Sequence, residues 1–299
     1  MARAKQTDDS ARKLSTQRNL PALSGEQFEY ALELVRTDTR QAVLEAALSV
    51  IQEVADPAGR EVLVEKYNTL SAEGGKHDAG AYVRAALLRA LKPVARVKDL
   101  PVLEKAAATY EFIPPGKTSE VGAGLRSAAL VAMNEVDEVL AAYHCVRLLT
   151  DRYTSQMSGE PAVTAVRILA AQGQSLLLYS YVIRQEEAVA EVSGECLRNL
   201  TGLPPSLLDA LVQRYRESQS EIVLVGLFDL LLSHPEGKTY RSFMLDFLNQ
   251  TRFFNLYRYM VLALLGRREA EFIEELRRNA RSEDSRVKLQ ILDELAPVK

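Results

Sequence analysis

Residues 38–48 read DTRQAVLEAAL, residues 81–91 read AYVRAALLRAL and residues 123–133 read AGLRSAALVAM. Each stretch opens on a small or polar residue and carries an arginine near its start. Each then runs on in Ala, Leu and Val at the three- and four-residue spacing of one helix face. Weaker copies follow: PAVTAVRILAA from Pro161, AEVSGECLRNL from Ala190, SEIVLVGLFDLLL from Ser220, NLYRYMVLALL from Asn255 and DSRVKLQILDEL from Asp284. Starts near 38, 78, 119, 160, 186, 219, 252 and 283 give a period of about 40 residues early and about 30 later. Such a period marks one helix-pair unit stacked on itself, because a lone pair cannot bury its own apolar face.

A second amphipathic helix follows each start, for example VLEKAAATY from Val102 and PSLLDALVQRY from Pro205. Upstream, Ser24-Gly25-Glu26-Gln27 has the form of a capping box, with Ser24 as N-cap and Gln27 reaching back. The helix it opens places Phe28, Ala31, Leu32 and Val35 on one stripe. Asp38 reads as a second N-cap before Val43, Leu44, Ala47, Leu48 and Ile51. Asp56-Pro57 starts a third helix, since proline fits a first turn where its missing N–H costs nothing. That helix carries Val62, Leu63 and Tyr67 and ends before Gly74-Gly75. No sustained alternation and no Asn-Gly hairpin signal occurs. The expected fold is all-α.

Arg40, Arg84, Arg126 and Arg286, with Asp38 or Asp284 just upstream, resemble the Asp/Arg pattern of HEAT repeats. The shorter later units resemble the bilin-lyase type of HEAT-like repeat. LRNLTGLPPSLLDALVQRY from Leu197 resembles a bacterial variant whose first helix ends in Leu-Thr-Gly. The resemblance spans residues 38–297. It implies a right-handed, armadillo-like α-solenoid of about seven helix pairs with terminal half-repeats, one domain over residues 23–299. It also implies that the recurrent Asp and Arg bridge neighbouring repeats and cap helices. The chain departs from the pattern at EFIPPGKTSE from Glu111, a long linker inside a pair.

The 47% hydrophobic and 26% charged composition suffices for a soluble chain that buries a core. Residues 1–22 differ: they carry Arg3, Lys5, Arg12, Lys13 and Arg18 and few apolar residues, so they read as a flexible basic tail. That N-terminus has no apolar signal core, and no apolar run approaches the ~20 residues of a membrane span. Cys145 and Cys196 both fall in apolar helical patterns, which implies no disulfide framework and fits a reducing compartment. The expected location is the cytoplasm. A formal net charge of -3 argues against a chain devoted to coating nucleic acid.

Residues that could carry chemistry lack its geometry. Ile113–Ser119, IPPGKTS, contains the Gly-Lys-Thr of a phosphate loop, but the glycine needed five residues before Gly116 is Glu111, and a helix precedes it. Gly122-Ala123-Gly124 lacks the third glycine and the strand of a dinucleotide fingerprint. His144 and Cys145 are helix neighbours, about 100° apart, so the imidazole cannot readily take the thiol proton. His77, His144 and His234 have no metal-ligand spacing around them. Glu186-Glu187 and Glu274-Glu275 lie at polar helix positions. No cofactor, metal or catalytic residue is assigned, and the reading is non-enzymatic.

Base accumulates late in the second helices. Lys66, Lys105, Arg147, Arg184, Arg214, Arg241 and Arg277 occupy such positions, with Arg216 and Arg278 beside them, and Tyr179 and Tyr215 accompany them, as do Tyr153, Tyr181 and Tyr240. In HEAT proteins second helices line the concave side, so these residues form a candidate partner-binding groove. Acids such as Glu61, Asp137, Asp209 and Glu271 start the same helices, so the helix dipole alone also explains the pattern. RFFNLYRYMVLALL from Arg252 packs Phe253, Phe254, Tyr257 and Tyr259 into one helix, and Phe254 and Tyr257 are expected to divide between core and surface, in an order the sequence leaves open.

The leading expectation is a scaffold or adaptor that docks a partner protein on its concave surface. A second class is nucleic-acid binding, including the helical-repeat glycosylases of alkylated bases. Those enzymes present tryptophan, and this chain has none. A third, by resemblance to the bilin-lyase type, is maturation of another protein's cofactor. No membrane partner is expected.

Overall fold

The computed structural model describes residues 25–72, 76–113, 119–184, 189–283 and 285–297. The expected tail over 1–22, Ser24, Gly74-Gly75, Gly116-Lys117-Thr118, Glu186-Glu187 and Asp284 lie outside these residues. The described chain is all-helical, with one two-residue β-ladder. Its contacts group into two compact units, residues 1–172 and residues 173–299.

The first unit holds α1 (Gly25–Thr37), α2 (Gln41–Val54), α3 (Arg60–Ala72), α4 (Tyr82–Leu91) and α5 (Leu100–Ala107). It continues with α6 (Ala123–Asn134), α7 (Glu138–Leu149) and α8 (Ala162–Ala171). The ends follow local chemistry. Asp56 accepts the Ala58 N–H at 2.8 Å and starts the turn Pro57–Gly59 that leads into α3. Asp137 caps α7 by accepting the Leu140 N–H at 2.9 Å. Asp38 is not an N-cap: α2 begins one residue after Arg40, and Asp38 instead accepts the Arg40 N–H at 2.8 Å and binds its guanidinium. In the Glu111 linker, β1 (Phe112–Ile113) runs antiparallel to β2 (Ser119–Glu120), pairing Phe112 with Glu120 and Ile113 with Ser119.

Within this unit α2, α4, α6 and α8 pack successively on one another, α1 packs on α3, and α3, α5 and α7 fill between them. The core they share is rich in alanine: Ala47, Ala85, Ala90, Ala106, Ala129 and Ala132 are buried beside Leu44, Leu88 and Leu103. Small side chains let the helices approach closely, while each fully buried leucine contributes roughly 1.5–3 kcal/mol.

The second unit holds α9 (Ser175–Arg184), α10 (Ala190–Arg198), α11 (Pro205–Tyr215), α12 (Glu221–Ser233), α13 (Arg241–Gln250), α14 (Phe254–Gly266), α15 (Ala270–Ser282) and α16 (Arg286–Leu295). Here α10, α12, α14 and α16 pack in succession, α13 packs on α15, and α11 packs on α12. Ser220 caps α12 through the Val223 N–H. Leu224, Leu227, Phe228 and Leu231 of α12 are buried, as are Leu256, Tyr257, Met260, Val261 and Leu264 of α14.

Candidate functional site

Side-chain links join parts of each unit about 30–40 residues apart in the sequence. In the first unit Arg60 binds Asp99, Tyr110 binds Asp151, Arg147 donates to the Ala107 carbonyl and Gln172 binds Asn134, at separations of 39, 41, 40 and 38 residues. In the second, Tyr215 donates to the Val182 carbonyl, His234 Nε2 to the Leu203 carbonyl and Arg267 to the Leu232 carbonyl, at 33, 31 and 35 residues. Tyr259 donates to Asp229 at 30 residues. Long polar side chains thus reach, backward or forward along the chain, to carbonyls near helix ends or to polar side chains about 30–40 residues away.

The recurrent arginines sit at the centre of such links. Arg126 is wholly buried; its Nη1 and Nη2 meet Glu120 Oε1 and Oε2 at 2.8 and 2.9 Å, and its Nε lies 3.4 Å from Asp151. It also donates to the Thr109 carbonyl and stacks 4.3 Å from the Tyr110 ring centroid. Buried Arg84 binds Asp78 at 2.9 Å and also Glu111. These charges are placed to tie loops to helices. Arg286 departs from the pattern: it is exposed, and the buried cation of α16 is Lys288, which donates to the Asn249 carbonyl and lies over Tyr257.

The basic row behaves unevenly. In the first unit Lys66 is half-buried and donates to the Asp38 carbonyl at 3.0 Å, Arg147 is exposed but spans to Ala107 at 2.8 Å, and Lys105 is exposed. In the second unit Arg184 and Arg214 are exposed, and Arg214 lies over the Tyr215 ring. Tyr179 is half-buried, and Tyr215 turns its hydroxyl inward to Val182 at 2.6 Å. Arg241 lies over Phe272 and pairs with Glu275 at 3.3 Å. Arg277 leaves the surface: it is buried, binds Asp293 and donates to the Leu292 carbonyl at 3.2 Å. Arg241 is not late in a helix but opens α13, and Arg147 stays exposed while it reaches a helix-end carbonyl, so position along a second helix does not by itself decide which charge is accessible.

The His144–Cys145 pair makes no nucleophile. His144 faces Glu104 and Arg147, each at 3.4 Å, and burial pushes the Cys145 thiol up to about 12. Burial raises the Cys196 thiol as well. Among the described residues no group of three or more His, Cys, Asp or Glu is placed to hold a metal. None of their helices is long and apolar enough to cross a membrane.

Two apolar faces stand open instead. On α7, Val139, Tyr143 and Val146 are 69%, 74% and 40% exposed at i, i+4 and i+7, opposite buried Ala141, Cys145 and Leu148. The signal was present in EVLAAYHCVRLL, where Val139, Tyr143 and Val146 stand at helical spacing, but only its His, Cys and Arg attract attention in the sequence. On α14, Phe254 is 40% exposed while Tyr257 is 1% exposed, so the two do divide, with Phe254 at the surface and Tyr257 in the core. Leu262 and Tyr259 share the open side of that helix. The second unit also contains a cleft of about 620 Å³ at the turns flanking α12–α13 and α14–α15, where Lys238, Arg241 and Arg267 meet Glu269 and Glu271 around Phe272. Its charges are of both signs and nearly balanced.

Comparison with protein-family models, with curated proteins and with solved structures finds no match to this chain.

Proposed function

We propose that this chain is a non-enzymatic docking module of the cytoplasm, built of HEAT-like helix pairs, that holds a partner protein on exposed helix faces. Within each unit, packing of each first helix on the next and polar links spaced by one repeat support the solenoid architecture. The observation that carries the docking reading is the exposure of large apolar side chains at helical spacing on α7 and α14. Scattered exposed leucines are ordinary, but stripes with aromatic centres are where protein interfaces concentrate their binding energy. Nucleic-acid binding is the weaker reading, because Lys66, Arg147, Arg241 and Arg277 of the basic row already hold carbonyls or carboxylates.

The test pairs affinity capture with a nucleic-acid titration. Capture by the wild-type chain is compared with capture by Tyr143→Asp and Phe254→Asp variants. A protein retained by the wild type and lost from either variant is the expected result. If neither variant loses anything, docking on these faces is wrong. Salt-sensitive binding to labelled DNA or RNA that Arg184→Glu and Arg214→Glu abolish would replace it with a phosphate track.

A further inference from the structure

The open side of α14 continues across its two neighbours. Tyr259 donates to Asp229 of α12 at 2.7 Å, and Arg258 pairs with Glu294 of α16. Ile222 lies seven residues before Asp229 and Val287 seven before Glu294, so each shares a helix face with the residue that meets α14. Ile222, Phe254 and Val287 are all exposed, one on each of three helices packed in succession. Phe254, Arg258 and Leu262 continue the face along α14 at four-residue steps. The result is an apolar row across the helices with Leu262 beyond it.

The charge around that row is selective. No Asp or Glu occurs between Asp246 and Glu269, a run that contains Arg252, Arg258, Arg267 and Arg268. The carboxylates that border the face, Asp229 and Glu294, are already engaged with Tyr259 and Arg258. Arg252, beside Phe254, is exposed and makes no ion pair among the described residues, and Arg286, beside Val287, is exposed two residues after Asp284 in the chain. Glu221, beside Ile222, sits in a first helical turn, where the dipole favours it, and exposed Glu283 lies four residues before Val287 at the other edge. Over α14 itself, Arg252 and Arg258 flank the apolar groups with no acid of that helix beside them.

We propose that the face of Ile222, Phe254, Leu262 and Val287 docks an amphipathic helix of a partner protein whose apolar stripe is flanked by Asp or Glu. The inference rests on the docking reading above and names its surface and the class of its partner. Packed helices lie about 8–10 Å apart, and residues seven apart on a helix are separated by about 10.5 Å. A partner helix crossing the three would meet Ile222, Phe254 and Val287 with residues at successive seven-residue steps. Its acids would face Arg252 and Arg286. The exposed Arg258–Glu294 pair yields readily, since surface pairs hold little energy.

The full-length chain would be used to select from a displayed library of helical peptides about 18 residues long. Enriched peptides are expected to carry Leu, Ile or Phe at seven-residue spacing with Asp or Glu alongside. Their affinity should fall about tenfold or more in Phe254→Asp and in Val287→Asp, each checked for native circular dichroism. Arg252→Glu should weaken them several-fold and flatten their salt dependence, and Tyr143→Asp should leave them unchanged. Peptides lost only in Tyr143→Asp would overturn this surface while leaving docking intact. Enrichment of Lys- or Arg-flanked peptides would overturn the partner class. Self-association by sedimentation that Phe254→Asp abolishes would make the occupant a second copy of this chain and overturn the proposal. No enrichment, together with a negative capture experiment, would defeat both readings.

Discussion

A Cβ atom at Gly226 would lie 2.3 Å from the carbonyl oxygen of Gly194 and 2.6 Å from its Cα, so α10 and α12 cross backbone against backbone. The contact is reciprocal in kind, because a Cβ at Gly194 would meet the Ile222 carbonyl oxygen at 2.7 Å. Neither obstacle is a flexible side chain that could swing aside.

Gly226→Ala should therefore destabilise the chain despite raising helix propensity. Alanine gains up to about 1 kcal/mol over glycine in a helix, whereas forcing packed backbones apart costs about 1–3 kcal/mol. A lower urea midpoint is expected. Gly124→Ala is the control, since nothing lies within 4 Å of its Cβ position, and it should be neutral or stabilising.

Removing Arg126 should cost far more than removing an exposed cation of the basic row. Arg126→Met leaves Glu120 and Asp151 facing each other without their counter-charge in a buried site. Breaking one side of a buried ionic cluster costs about 3–5 kcal/mol. Adding Glu120→Gln should recover part of the loss, and a double-mutant cycle in urea measures how much. Additive losses would show that the two residues do not act as a pair.

Asp38 gives a pH dependence. The hydrogen-bonded Arg40 guanidinium holds its carboxyl down to about 2, below the value of about 3.9 for an unfolded chain. A carboxyl that ionises more readily when folded contributes stability above pH ~4 and loses it as pH falls towards 2. Thermal melts of wild type and Asp38→Asn should therefore differ at neutral pH and converge in that acid window. A constant difference across it would remove Asp38 from the linkage.

Neither thiol should react while the chain is folded. With Cys145 and Cys196 both buried and their thiolates disfavoured, a disulfide reagent at pH 8 should label nothing until guanidinium is added, then label two sites. Fast labelling of one thiol in the native protein would mean that its helix opens locally.

The helices were legible because their signals are local. Pro205 opens α11, since proline fits only a first turn, whereas the apolar spacing of RFFNLYRYMVLALL marks a helix without saying which of Phe254 and Tyr257 is buried. Polar links between parts of the chain about 30–40 residues apart recur in both units, 28–41 residues apart in the first and 30–39 in the second, and do not separate the two sequence periods. What local signals determined, then, is the all-helical chain and the inward stripe of each helix. Tertiary structure alone decided which charges remain accessible. Arg277 and Arg214 occupy similar late positions in second helices, yet one is buried on Asp293 and the other is exposed over Tyr215. Whether a guanidinium meets water or a helix end depends on residues a repeat away, as does whether the outer face of α7 or α14 is covered. Periodicity within a helix specifies which side turns inward, but not what the chain places against the other side.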